Sequence, residues 1–213
     1  MLNFPASTKI NRFIPKETFA DKLDLTPWLK ESLKDDIKKF TITNELSPRS
    51  VNIEKGETVS GIFVMEVLLK ERDVDFKIVE AVAKQNKNKI LFVLRHEGEA
   101  RLAIFHGKLY CSEWSDADSL HCDIIGFNMD EVWENLLAQI AIVRDSPERT
   151  GASPAPTSDI PIDERLNRQE ERLKLQKQLD RLEKQARNER QPKKKFEIVC
   201  RIGEIKRKLE GLE

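Results

Sequence analysis

The sequence predicts an α+β or α/β body, a mixed sheet flanked by helices, followed by a C-terminal helical hairpin or coiled coil. Three observations predict it. Before position 147, short β-rich runs alternate with amphipathic runs, a pattern that suits helices bracketing a mixed or antiparallel sheet. The stretch 147–161 holds Pro147, Gly151, Pro154, Pro156 and Pro161 with hardly an apolar side chain, so burial cannot offset its ordering entropy. Beyond it helix formers dominate, and Phe196 is the only aromatic. The expected organisation is a body over 1–146, a proline-rich linker over 147–161 and a helical tail over 162–213.

In the body, Thr26-Pro27-Trp28-Leu29 opens a helix. Thr26 can accept from a free backbone N–H, and Pro27 has no N–H to leave unpaired. That helix carries Trp28, Leu29 and Leu33 and ends near Asp36. Ile37–Leu46 follows as a strand, stopped before Pro48, and Ser47–Ser50 is a turn. Thr58–Leu69 is the strongest apolar run and reads as a central strand buried on both faces. Glu66 lies inside it and needs a partner or a solvated rim. Phe76, Val79 and Val82 or Ala83 give a short amphipathic helix over Asp75–Ala83. Lys89–Leu94 is a strand and Glu97-Gly98 a turn, and Ala100–Phe105 pairs with Lys108–Cys111 across His106-Gly107. Asp130–Val143 is the best helix, with an apolar stripe through Trp133, Leu136, Leu137, Ile140 and Ile142 or Val143, capped by Asn128 or Asp130.

In the tail, Leu175, Leu179, Leu182 and Ala186 form one heptad-like seam, and Ile198, Ile202, Ile205, Leu209 and Leu212 form another. Gln191-Pro192 separates them. Two antiparallel helices within one chain satisfy both seams; a coiled coil between chains, giving a homodimer, is the alternative. Ile162, Leu166 and Leu173 sit on an earlier register.

The 37 basic and 37 acidic residues balance, which excludes a uniformly basic nucleic-acid binder. The balance conceals a division: residues 1–158 carry 21 basic and 25 acidic side chains, and residues 159–213 carry 16 and 12. Arg187, Arg190, Lys193, Lys194 and Lys195 cluster around the tail's break and form the candidate phosphate contacts, although no aromatic platform lies among them. No window approaches the ~18 apolar residues of a membrane span. The N-terminus lacks the zones of a signal peptide, and three cysteines make no disulfide framework, so a cytoplasmic protein without membrane contact is expected.

Chemical motifs are sparse. There is no phosphate-binding glycine loop, nucleophile elbow or His-Glu-x-x-His, which excludes a nucleotide-driven motor or kinase. His96, His106, Cys111, His121 and Cys122 are spaced as ordinary loop and hairpin residues, so no metal site is expected. A Mg²⁺-dependent nuclease would draw on Glu57, Glu66, Lys70, Asp73 and Asp75, with Glu66 and Lys70 on one strand face and the lysine activating water. Only that alternative needs a cofactor. Trp114 is a candidate anchor for a partner or for the domain itself.

Several blocks carry a family resemblance. They are Ile10-Asn11-Arg12-Phe13-Ile14-Pro15-Lys16 followed by Phe19, Leu46–Ile53, Gly56–Leu69 with Glu66, Leu109–Trp114, and Pro192–Phe196 ahead of Ile198–Leu209. Together they resemble an uncharacterised bacterial domain-of-unknown-function family (DUF4391-like). Its members look like accessory genes beside helicase and DNA methyltransferase genes in restriction-modification or phage-defence clusters. The resemblance implies a DNA-related partner complex and carries over no catalytic residue; the leading expectation is a noncatalytic accessory subunit that docks on a helicase or methyltransferase, its tail contacting that partner or nearby DNA. Arg49-Ser50 departs mildly from the family's turn. Trp114, Leu175, Leu179, Leu182, Ile198, Ile202, Ile205 and Leu209 are the candidate interaction residues.

Overall fold

A computed structural model describes residues 2, 4–142, 160–189 and 191–211. The chain divides into two compact units, Met1–Thr157 and Ser158–Glu213. Most of the expected linker, together with Val143, Arg190 and Leu212, lies outside the described residues.

The first unit is built on β1 (Lys9–Ile14), β2 (Ile37–Leu46), β3 (Ile62–Leu69), β4 (Lys89–His96), β5 (Glu99–His106), β6 (Lys108–Cys111) and β7 (Ser115–Asp116). The sheet order is β1-β2-β3-β4-β5-β6, with β7 beside β5. Every pairing is antiparallel except β3–β4. That parallel pair needs a crossover, which α4 (Lys77–Gln85) supplies. The remaining helices of the unit are α1 (Lys16–Lys22), α2 (Pro27–Asp35), α3 (Pro48–Val51) and α5 (Met129–Ala141).

Strand alternation sends two residue sets to opposite faces. Phe40, Met65, Val67, Phe92 and Leu94 join Phe19, Leu33, Ile78, Val79 and Val82 of α1, α2 and α4 in one buried cluster. Phe19 and Phe40 meet there at 4.5 Å between ring centroids. On the other face α5 packs against β5 and β6, burying Met129, Val132, Leu136 and Leu137. This face stays open over part of β2–β4, and the opening positions the groove described below.

Local signals explain most boundaries. Thr26 Oγ1 accepts from the Leu29 N–H at 3.4 Å, which starts α2 where its cap predicts, and the helix ends at Asp35, next to the expected Asp36. Asn128 caps α5 by accepting from the Glu131 N–H at 3.0 Å. Gly107 turns the β5–β6 hairpin at φ 69°, a conformation open to glycine. Three expectations need correction. Ser47–Ser50 is not a plain turn: Ser47 and Ser50 form a capping box that opens α3. The Thr58 strand begins four residues late, at Ile62, because Thr58 and Val59 bond Asp130 of α5 instead of a neighbouring strand. Trp28, placed on the apolar side of its helix, is 46% exposed, with the Lys77 ammonium 5.2 Å above its ring. The sequence reading also leaves β1, α1 and β7 unassigned.

The second unit is a helical pair, α6 (Ile162–Asn188) and α7 (Pro192–Glu210), joined by three residues. Pro192 occupies the first helical position of α7, where its missing N–H costs nothing. Leu179 is buried, and Leu175, Leu182, Ala186, Ile198, Ile202, Ile205 and Leu209 are half-buried among mostly exposed neighbours. Lys206 pairs with Glu183 across the helices at 3.4 Å. The two seams therefore meet within the chain. Of the residues on the earlier register, Ile162 and Leu166 are buried and Leu173 is 44% exposed. No described helix is long and apolar enough to cross a membrane.

Candidate functional site

The open sheet face forms a groove of about 610 Å³ lined by residues from β1 to β5 and from the segments at both ends of the sheet. Register decides its lining. Phe13, Thr41, Glu66, Val93 and Leu102 stand in one row across β1–β5. Lys39, Leu68, Arg95 and Ala100 form the next row, while Lys9 and Asn44 pair further along. Lys9, Lys39 and Arg95 are the groove's cations, and Glu66 is its only carboxylate among the described residues. Asn11, Thr41, Thr43 and Asn44 add polar groups, and Phe4, Val93 and Leu120 an apolar wall.

Arg95 Nη1 donates to Glu66 Oε2 at 3.0 Å. Both side chains are about a quarter exposed, at 27% and 28%, so the pair is wetted and anchored at once. The Arg95 Nε is buried and has no hydrogen-bond partner among the described residues. At the rim, Phe13 is 56% exposed, and the Lys39 ammonium lies 5.7 Å from its ring centroid.

The expected nuclease residues have separate tasks. The Glu57 N–H donates to Asp130 at 2.6 Å, ahead of β3. Asp73 and Asp75 lie beyond the strand's other end, and eight residues of strand separate them from Glu57 by roughly 25 Å. Asp75 pairs with Lys77 at 3.0 Å, and that partner holds its carboxyl below the usual aspartate value. Lys70 does not join Glu66 on a shared face: its Nζ donates to the Lys34 carbonyl at 3.0 Å, in the last turn of α2. Lys16 donates to the same carbonyl at 3.2 Å, and burial, then the nearby Lys70 charge, lowers its pKa. Two lysines thus satisfy backbone oxygens at a helix C-terminus.

Among the described residues, no three His, Cys, Asp or Glu side chains converge to hold a metal ion. Cys122 lies against Gln139 at 3.6 Å, and burial, reinforced by Asp123, pushes its thiol up to about 12. Trp114 packs on the body's core, with the Arg72 and Arg101 guanidinium carbons each 5.5 Å from its ring.

In the tail, Arg187, Lys193, Lys194 and Lys195 are exposed around the hairpin tip, while the interaction candidates Leu175, Leu179, Leu182, Ile198, Ile202, Ile205 and Leu209 lie along the seams. A shallow groove beside the tip is lined by Lys177, Arg181 and Lys184 together with the carboxylates of Asp180 and Glu189 and by Ile198. Arg187, Lys193, Lys194 and Lys195 were legible in the sequence; Lys9, Lys39, Arg95, Phe13, Lys177, Arg181 and Lys184 were not, and only sheet register brings the first four together. A partial signal existed: Lys39, Thr41 and Thr43 alternate with Phe40 and Ile42, marking one polar face of β2.

No match to the chain was found among curated proteins or among solved structures. The family model described as Domain of unknown function (DUF4391) matches residues 2–209. With the match spanning both units and the residues of the groove and the tip, the chain belongs to the DUF4391 family.

Proposed function

We propose that the protein is a noncatalytic accessory subunit of a bacterial DNA restriction or anti-phage defence complex, binding a helicase or DNA methyltransferase and contacting DNA. The observation that carries this reading is the division of the hairpin, whose apolar seams are used within the chain while Arg187, Lys193, Lys194 and Lys195 face solvent. A surface of this kind meets phosphates without disturbing the packing beneath it. The partner class follows from the family's resemblance to genes placed beside helicases and methyltransferases. Binding is favoured over metal-dependent cleavage because Glu66, Lys70 and Asp75 are engaged by different partners at separate places, and Glu57 lies beyond the opposite end of β3 from Asp75. Homodimerisation through the same seams is disfavoured because each seam already has its partner.

Purification of the tagged full chain from its native host tests the reading. A helicase or methyltransferase should accompany it in stoichiometric amount, and the complex should not cleave DNA through this subunit. A chain that purifies alone and cleaves DNA with Mg²⁺ or Mn²⁺ would contradict it.

A further inference from the structure

We infer that the groove on the open sheet face of the first unit binds single-stranded nucleic acid, and that this binding does not depend on the cations of the hairpin tip. The groove's cations stand at both ends. Lys9 is registered with Asn44, whereas Lys39 shares a row with Arg95. From residue 39 to residue 44, β2 advances about 15 Å. One phosphate cannot occupy both ends, but successive phosphates of one strand can. Glu66, the one carboxylate among the described residues of the lining, is already bonded to Arg95, so the groove presents net positive charge to an anion.

Phe13 distinguishes a nucleic acid from other polyanions. Its ring is exposed on the edge strand, opposite Thr41, with Lys39 5.7 Å from its centroid. A stacking ring beside a backbone-tracking cation is the pairing that sequence-tolerant single-strand binding uses. A base that stacks on this ring must be unpaired, which selects single strands over duplex. Thr41 offers a hydrogen bond on the floor between the cations, whereas the Thr43 hydroxyl donates to the Val64 carbonyl and the Asn44 amide to Thr8 Oγ1.

The test uses the full chain and a labelled oligothymidylate, with affinity measured across a salt series from about 50 mM upward. Phe13→Ala should weaken binding about ten-fold. Lys9→Gln with Lys39→Gln should weaken it further and make the log–log salt slope shallower by roughly 0.7 for each lost phosphate contact. All three side chains are exposed, so thermal midpoints should stay close to wild type. Duplex affinity should be unchanged in these variants and should fall in the Lys193, Lys194 and Lys195 triple glutamine variant. That contrast separates failure of the groove from failure of the tip. Wild-type chain that does not bind the oligonucleotide at low salt would overturn the inference. So would affinity and slope unaltered by the groove substitutions, or equal competition from a mononucleotide or a polyglutamate.

Discussion

Asp130, in the first turn of α5, accepts four donors from the segment ahead of β3, one of them the Val59 N–H at 2.7 Å. The others are the Glu57 and Thr58 N–H groups and the Thr58 hydroxyl. One carboxylate therefore ties the helix to the segment that feeds the central strand. The same contact explains Gly56, where a Cβ would sit 2.7 Å from the Asp130 carboxyl and 2.8 Å from its backbone nitrogen.

Asp130→Ala should destabilise the body by about 1 kcal/mol, chiefly through the part-buried Val59 N–H, since the exposed Glu57 and Thr58 donors can turn to water. Gly56→Ala should cost ~1–3 kcal/mol through overpacking. Denaturant unfolding of each variant checks both values.

The hydrogen bond from the Thr58 hydroxyl, followed by those from backbone N–H groups, lowers the Asp130 pKa from 3.8. A folded-state pKa below the unfolded one gives stability that is complete above about pH 5 and lost as pH falls through the folded value. Wild type should therefore lose more stability than Asp130→Asn between pH 5 and lower pH, as acid titration of the thermal midpoint would show. Parallel acid limbs would remove Asp130 as the cause.

Glu66→Gln should lower stability by about 1–2 kcal/mol, because it weakens the charge-assisted bond to Arg95 while keeping an acceptor. DNA cleavage with Mg²⁺ should be absent in wild type and variant alike. Metal-dependent cleavage abolished by this substitution, with the thermal midpoint unmoved, would favour the nuclease reading.

Leu179→Ala should cost about 2–4 kcal/mol of hairpin stability, since Leu179 is only 7% exposed. Ile205→Ala should cost less, about 1–2 kcal/mol, because Ile205 is half-buried. Helicity followed by circular dichroism during unfolding should rank the two. Equal stability of both variants and wild type would leave the seam without a packing role.

The legible parts of the molecule were those governed by neighbours in sequence. Heptad spacing placed the seams through Leu179 and Ile205, and Thr26 and Asn128 marked their helix starts because capping is local. The groove was not legible, because Lys9, Lys39, Glu66 and Arg95 come from four strands whose register is fixed only by tertiary pairing. Glu66 advertised a need for a partner; its identity, Arg95, depended on the parallel pairing of β3 and β4. The late start of β3 had the same origin, since Asp130 lies 71 residues from Val59.

In the proposed role, exposed cations at the hairpin tip contact DNA phosphates while the seams beneath them hold the helices together. Duplex affinity of the full chain across a salt series, with and without Lys193→Gln, Lys194→Gln and Lys195→Gln combined, tests it most directly. The triple variant should keep wild-type helicity, bind more weakly and show a log–log slope shallower by about 0.9 for each phosphate contact removed. An unchanged slope and affinity would contradict that role.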